Sequence, residues 1–216
     1  MIFTKTYSEP PVCEKEILRY AGCSKADQKT KSLLKECLSE VRNKLTYKVC
    51  YCELEVIAKD DICDFNAFKL QSKKLAASLK ECKNVILFAA TLGVEIDRLI
   101  SKYGRISPSK ALMLQSIGAE RIEALCDTFC DDIKNQYNTG VTLRFSPGYA
   151  DLSLDAQSDI FAFLSPERKI GLTLNGSILM SPSKSVTAFI GLGSTEKPLL
   201  NKCSTCNKSD CEFRGV

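Results

Sequence analysis

A long amphipathic helix restricts the fold of this chain more than any other sequence feature. Ser107 suits the N-cap position and Pro108 the first helical position, so a helix is predicted over residues 108–136. Apolar or small residues recur along it at spacings of three and four, namely Leu114, Gly118, Ile122, Leu125, Phe129 and Ile133. One face is therefore expected to pack into a core. Three acidic residues between these positions are expected to face solvent, namely Glu120, Asp127 and Asp131.

Residues 1–194 are predicted to form one domain in which helices and strands are mixed. Further helices are predicted from capping residues and apolar spacing over residues 14–20, 29–43, 73–82 and 153–164. Strands are predicted from alternating or continuous apolar runs over residues 46–58, 84–91 and 141–145, with two or three short strands within residues 169–193. Residues 195–216 are polar and rich in cysteine, and they are predicted to form a separate tail.

Composition and charge limit the partners that this chain is expected to have. An apolar content of 44% over 216 residues is enough for a buried core. The 30 basic and 26 acidic side chains are interspersed and leave a formal charge of only +4, so no nucleic-acid partner is expected. No window approaches the roughly 20 consecutive apolar residues that cross a bilayer, and the first residues contain no apolar signal core. A cytoplasmic protein without a membrane partner is therefore expected.

Histidine is absent from the sequence, which excludes several kinds of active site. Ser/His/Asp and Cys/His nucleophile arrangements, histidine zinc sites and a histidine general base all need that side chain.

The twelve cysteines are expected to be reduced thiols, because the chain has no export signal and is larger than the domains that need disulfide bonds for stability. Most lie alone in apolar surroundings, as Cys37, Cys82 and Cys126 do, and these are expected to be small core side chains.

The turn sequence RFSPGY is the first candidate site. Arg144 would present a planar fork of donors suited to a carboxylate, and Pro147 followed by Gly148 suits a type II turn that exposes backbone amides. Tyr149 has a ring face for a sulfonium, while Glu123 on the long helix could meet an α-amino group. Together these residues indicate a zwitterionic amino-acid ligand with a cationic group. The alternative is an ordinary turn with an arginine salt bridge and a solvated Glu123.

The tail sequence KCSTCNKSDCEFR is the second candidate site. Its cysteines, Cys203, Cys206 and Cys211, have the spacing C-x2-C-x4-C. Paired thiolates two residues apart chelate soft metals, so the three cysteines could hold zinc with a fourth ligand, or an iron–sulfur cluster with an open corner. Free or redox-active thiols are the alternative, because no fourth ligand lies nearby in the sequence.

Two blocks in the last third of the chain, RFSPGYADLSLDAQSDIFAFL and KIGLTLNGSILMSPSKSVTAFIGLG, stand in a specific order and spacing. They resemble the adenosylmethionine-binding activation domain of cobalamin-dependent methionine synthase, in which an Arg-x-x-Pro-Gly-Tyr turn precedes a short helix and an Ile-Gly-x-x-Leu-Thr strand. Further upstream, LRYAG, ILFAATLG and SIGAERIEALCD resemble free-standing members of that family. The chain differs from the fused domains in having ADLSLDAQ in place of a Cys-Pro acidic segment, and GLGSTEKP in place of a His-Pro extension.

The resemblance implies a fold and a ligand site. The fold would be of mixed α+β class, with a twisted, mostly antiparallel sheet flanked by helices and an open groove for S-adenosylmethionine. Arg144 would bind the carboxylate of this ligand, and Glu123 would contact its polar end. The turn would line the ligand through Ser146, Pro147, Gly148 and Tyr149.

The resemblance also implies a function in the reductive methylation of a corrinoid. Cobalt in the inactive Co(II) state receives one electron and a methyl group from S-adenosylmethionine, and this domain would position the methyl donor without supplying a nucleophile. The chain has no Asp-x-His-x-x-Gly sequence, so the cobalamin would belong to a partner methyltransferase such as methionine synthase. A reductase, or a donor of the ferredoxin or flavodoxin type, would supply the electron. The alternatives are a non-catalytic scaffold or sensor that binds S-adenosylmethionine, and a cysteine tail that acts as a metal or redox module.

Overall fold

The computed structural model of the protein describes residues 1–23 and 25–193, in which helices and strands are interspersed. The helices are α1 (Glu14–Tyr20), α2 (Gln28–Val41), α3 (Lys73–Leu79), α4 (Glu95–Ile106), α5 (Pro108–Tyr137), α6 (Ala156–Leu164) and α7 (Pro166–Ile170). The strands are β1 (Phe3–Tyr7), β2 (Tyr47–Glu55), β3 (Ile57–Lys59), β4 (Ile62–Asp64), β5 (Lys69–Gln71), β6 (Asn84–Thr91), β7 (Gly140–Val141), β8 (Thr173–Leu174), β9 (Met180–Ser181) and β10 (Ser185–Gly193).

Five strands form an antiparallel sheet at the centre of the fold. Their order across the sheet is β1-β2-β6-β10-β7, and each neighbouring pair runs antiparallel. A small antiparallel sheet contains β3, β4 and β5, and β8 pairs with β9. Helices pack on both faces of the central sheet. The predicted α+β class, with a mostly antiparallel sheet flanked by helices, is therefore confirmed.

Both faces of the central sheet are buried, which explains the continuous apolar run in β6. In β2 the side chains alternate between the faces, as expected for a pleated strand. Cys50 and Cys52 face a core that β2 shares with α3, α6 and α7. Val49 and Tyr51 face a second core, shared with α5. A third apolar cluster joins α1, α2 and α4 to the first half of α5.

The longest helix, α5, lies against one face of the central sheet, as its apolar spacing predicts. Leu125 and Phe129 have no exposed surface there, and the ring of Phe129 lies 4.8 Å from that of Phe88, measured between centroids. Asp127 and Asp131 are exposed on the other side of the helix, also as predicted. The amphipathic pattern therefore identified the buried face of α5 correctly.

Glu120 is only 4% exposed, so its predicted position on the solvent face of α5 is wrong. Its carboxylate accepts hydrogen bonds from Arg121, whose side chain has no exposed surface, and from the backbone N–H of Cys13 at 3.0 Å. Arg121 also donates to the carbonyl oxygens of Pro10 and Pro11. The cause is the N-terminal segment, which packs onto α5 at this point. Periodicity within α5 contains no information about that contact.

The segment after α5 contains less strand than predicted. β7 has only two residues, which pair with the end of β10. Phe145 returns to the same edge of β10 through a single bridge to Phe189. The predicted strand over residues 141–145 is thus interrupted, and Arg144 lies in the interruption.

The two predicted capping residues, Ser72 and Ser107, both stand at the start of a helix. Ser72 caps α3 as predicted, since its hydroxyl accepts the N–H of Leu75 at 3.0 Å. Ser107 occupies the N-cap position of α5, but its side chain makes no capping hydrogen bond.

The expected core thiols, Cys37, Cys82 and Cys126, are buried and free. The sequence does not predict β1, β4, β5, α4 or α7, and residues 169–170 belong to α7 rather than to a strand. Within residues 1–23 and 25–193, no helix combines the length and apolar character needed to cross a bilayer.

Replacing Arg121 by methionine is expected to destabilise the fold by about 3 kcal/mol or more, because buried Glu120 and the carbonyls of Pro10 and Pro11 lose the donors of the guanidinium. Urea unfolding monitored by circular dichroism measures this change. The control is Arg98→Met, since Arg98 is 68% exposed and pairs only with Glu95 among the ion pairs described. The control should change stability by less than about 0.5 kcal/mol. Equal effects of the two substitutions would contradict the role of Arg121 in holding the N-terminal segment on α5.

Candidate functional site

Arg144 lies in a short stretch of chain that is held to the edge of the central sheet on both sides. Before it, the N–H of Thr142 donates to the carbonyl of Gly191 at 3.0 Å. After it, Phe145 and Phe189 exchange two backbone hydrogen bonds of 3.0 and 2.9 Å. The backbone at Arg144 is therefore fixed beside the sheet edge, while the side chain extends to α5.

Two carboxylates on α5 bind the guanidinium of Arg144. Its Nη2 donates to Oε2 of Glu123 at 2.6 Å, and its Nη1 donates to Oδ1 of Asp127. Glu123 and Asp127 are four residues apart, so both project from one side of the helix. The side chain of Arg144 is 14% exposed, whereas those of Glu123 and Asp127 are 40% and 68% exposed. The guanidinium is therefore largely covered, while its two partners remain in contact with solvent.

Arg144, Glu123 and Asp127, called the arginine cluster below, contain one cation and two anions. Burial by itself lowers the pKa of Arg144, but its acidic surroundings, which include the carboxylates of Asp127 and Glu123, raise it by more, so the guanidinium stays charged. The Sγ of Cys130 lies 4.0 Å from Nη1 of Arg144. Burial raises the pKa of the Cys126 and Cys130 thiols, which keeps both neutral near pH 7. The cluster thus has one negative charge in excess.

Residues 146–149 form the predicted type II turn. The N–H of Tyr149 donates to the carbonyl of Ser146 at 3.1 Å, and Gly148 has a φ of +81°, which glycine adopts without strain. The N–H of Gly148 donates to the carbonyl of Leu152 at 2.9 Å. These two amides are therefore used within the turn region, and they are not the bare donors that the sequence predicts for a ligand.

The ring of Tyr149 faces solvent beside this turn. Tyr149 is 52% exposed, and its ring meets that of Phe145 edge to face at 5.2 Å between centroids. Pro147 is buried, so it supports the turn from the core side. Of the predicted site residues, the structure brings Arg144 and Glu123 into direct contact, and it places the turn directly after Arg144 along the chain.

Two residues beside this site were not predicted to belong to it. Asp127, expected only to face solvent, also binds Arg144. Burial raises the pKa of Tyr20, at the end of α1, and the negative charge of Glu123 raises it further. Both had a sequence signal. Asp127 is one helical turn after Glu123, and Tyr20 belongs to the LRYAG block.

The predicted metal ligands, Cys203, Cys206 and Cys211, lie outside the residues that the structure describes. Among the residues that it does describe, no group of three or more cysteine, aspartate or glutamate side chains is arranged to hold a metal ion. The described part of the chain therefore adds no metal site to the one predicted for the tail.

Comparisons with known proteins find similarity in structure but not in sequence. No protein-family model matches the chain, and no curated protein matches its sequence. Among solved structures, the chain is similar to the crystal structure of the MetH reactivation domain bound to AdoHcy, with a TM-score of 0.66 and 13% sequence identity. The match covers 91% of this chain and 80% of that one. The chain therefore has the fold of the MetH reactivation domain.

Proposed function

We propose that this protein binds S-adenosylmethionine and supports the reductive methylation of a corrinoid carried by a separate methyltransferase, such as a methionine synthase. The observation that carries this proposal is the shared fold, together with an arginine and a Pro-Gly-Tyr turn at the edge of the central sheet. The solved domain with this fold is bound to AdoHcy, and AdoHcy is what remains of S-adenosylmethionine after its methyl group is transferred.

Arg144 is proposed to bind the α-carboxylate of the ligand and Glu123 its α-amino group. A guanidinium forms two parallel, charge-assisted hydrogen bonds with a carboxylate, and no neutral side chain can form the same pair of bonds. Glu123 is 40% exposed and holds Nη2 of Arg144 at 2.6 Å, so one carboxylate would both orient the arginine and receive the amino group. The exposed ring of Tyr149 is proposed to face the sulfonium, since aromatic faces attract cations within about 6 Å. The turn is proposed to line the ligand at Ser146, Pro147 and Gly148.

The charge of the arginine cluster supports a cationic ligand. S-adenosylmethionine carries a carboxylate, an ammonium and a sulfonium, so it has one positive charge in excess. The cluster has one negative charge in excess and lies in a partly buried position, where attraction between charges is screened less than in bulk water. Loss of the methyl group removes the sulfonium charge. The site is therefore proposed to favour the methyl donor over AdoHcy.

The corrinoid is proposed to belong to a partner protein in the cytoplasm. The chain contains no histidine that could serve as a lower axial ligand to cobalt. Reductive methylation consumes one electron, which is proposed to come from a reductase or from a donor of the ferredoxin or flavodoxin type. The part of this chain would be to hold and orient the methyl donor, so its residues act by positioning rather than by proton transfer.

S-adenosylmethionine is expected to raise the melting temperature of the protein, because a ligand that binds only the folded state stabilises it. At a ligand concentration about 100-fold above Kd, the gain is about 2.7 kcal/mol, or about 5 to 10 °C. Arg144→Ala is expected to remove most of this shift in a thermal denaturation assay, and Arg144→Lys to keep part of it. Arg98→Ala, at an exposed position of α4, is the control and should keep the full shift. A full shift in Arg144→Ala would be evidence against the proposed role of Arg144.

The protein is also expected to promote methyl transfer to a corrinoid protein that lacks its own activation domain. The assay combines that protein in its Co(II) form with a chemical reductant and S-adenosylmethionine labelled in the methyl group, and it follows the label and the cobalt absorption. Arg144→Ala should lower the rate by about tenfold or more, since positioning of the donor is lost. Tight binding of S-adenosylmethionine without any methyl transfer would instead support a scaffold or sensor.

The tail cysteines Cys203, Cys206 and Cys211 are proposed to hold zinc or an iron–sulfur cluster, and a cluster would serve as a local electron carrier. Their C-x2-C-x4-C spacing is the observation that supports this proposal. Anaerobically purified protein is expected to contain iron or zinc, and a Cys203→Ser, Cys206→Ser double variant is expected to lose it. Absence of both metals, with a blank visible spectrum, would leave free or redox-active thiols as the interpretation.

A further inference from the structure

We infer that Asp127 competes with the α-carboxylate of the ligand for Arg144, so that binding exchanges one carboxylate for another. This inference rests on the proposed function, because it concerns the same arginine. Its basis is the contact between Nη1 of Arg144 and Asp127 in the arginine cluster. Asp127 would thus set the affinity of the site without contacting the bound ligand.

The guanidinium of Arg144 has little surface left for a ligand. Its side chain is 14% exposed, and its two terminal nitrogens already donate to Glu123 and Asp127. The Sγ of Cys130 lies 4.0 Å from Nη1 and covers a further part of it. Recognition of a carboxylate by arginine uses two N–H groups that point in the same direction. An incoming carboxylate must therefore take a position that a carboxylate of the protein occupies.

Asp127 is the partner that leaves more easily. Its side chain is 68% exposed, against 40% for Glu123, so more of its carboxylate is already hydrated. Separating Asp127 from Arg144 costs less than separating Glu123 from it, because water replaces the lost partner more readily at the more exposed carboxylate. Glu123 is therefore expected to stay on Nη2 while Asp127 gives up Nη1.

The exchange leaves the surroundings of Arg144 nearly unchanged in charge. Before it, the guanidinium faces Glu123 and Asp127, and after it the guanidinium faces Glu123 and the ligand. Asp127 then lies at the surface of α5 as an ordinary hydrated carboxylate. The measured binding free energy consequently reflects the difference in free energy between two ion pairs, that of Arg144 with the ligand and that of Arg144 with Asp127. Removing the charge of Asp127 should raise the affinity for the ligand.

Titration calorimetry with AdoHcy on the full chain tests this inference. AdoHcy keeps the α-carboxylate but lacks the sulfonium, so loss of a nearby negative charge weakens its binding less than that of the methyl donor. Asp127→Asn is expected to lower the Kd by about threefold, a modest gain because the carboxylate that it removes is itself largely hydrated, and Asp127→Ala should act in the same direction. Asp131→Asn is the matched control, because Asp131 lies one turn further along α5, is also 68% exposed and pairs with Lys134 instead. Its Kd should equal that of the unchanged protein.

The outcomes separate this inference from the proposed function. Unchanged or weaker AdoHcy binding by both Asp127 variants would overturn the inference. The proposed function would still hold in that case if the unchanged protein binds AdoHcy and Arg144→Ala does not. A gain of the same size in Asp131→Asn would also overturn it, because the effect would then come from the net charge of α5. Absence of binding by the unchanged protein would overturn both.

Discussion

The burial of α5 against the central sheet is the interaction on which the rest of the structure depends. Leu125 and Phe129 have no exposed surface, and the ring of Phe129 packs against those of Phe88 and Tyr51, at 4.8 and 5.2 Å between centroids. Each such side chain contributes on the order of 2 kcal/mol by leaving water. Because α5 cannot slide or turn without exposing these side chains, the polar groups on its flanks are held in register with the sheet.

The two flanks of α5 meet opposite edges of the sheet through different charged groups. At the β1 edge, Asp132 accepts a hydrogen bond of 2.6 Å from the hydroxyl of Tyr7 and pairs with Lys5. At the β10 edge, the arginine cluster joins α5 to the chain that follows β7. Individual pairs of this kind add little stability where water reaches them. Their effect is to orient side chains, and at the β10 edge this orientation produces the candidate site.

The fold could be predicted best where one pattern continues over many residues, as in α5 and β6. β1 has no such pattern, because an edge strand with polar residues resembles a loop, whereas α4 has apolar residues at helical spacing and could have been found. Glu120 and Arg121 are buried by a segment more than 100 residues away in sequence, which local spacing cannot reveal. The chemistry of Arg144 and Glu123 indicates both as site residues from the sequence alone. Their mutual contact depends on the early end of β7, a tertiary feature with no local signal.

The attachment of Thr142 and Phe145 to β10 confines any adjustment at Arg144 to rotation about its side-chain bonds. Rotations of this kind take picoseconds to nanoseconds where they are unhindered, whereas rearrangements of a loop take nanoseconds to microseconds. A receptor whose main chain is already in place loses little backbone entropy when a small molecule arrives. Association at this edge of the sheet should then be limited by the encounter of the two molecules, with no slow conformational step before it.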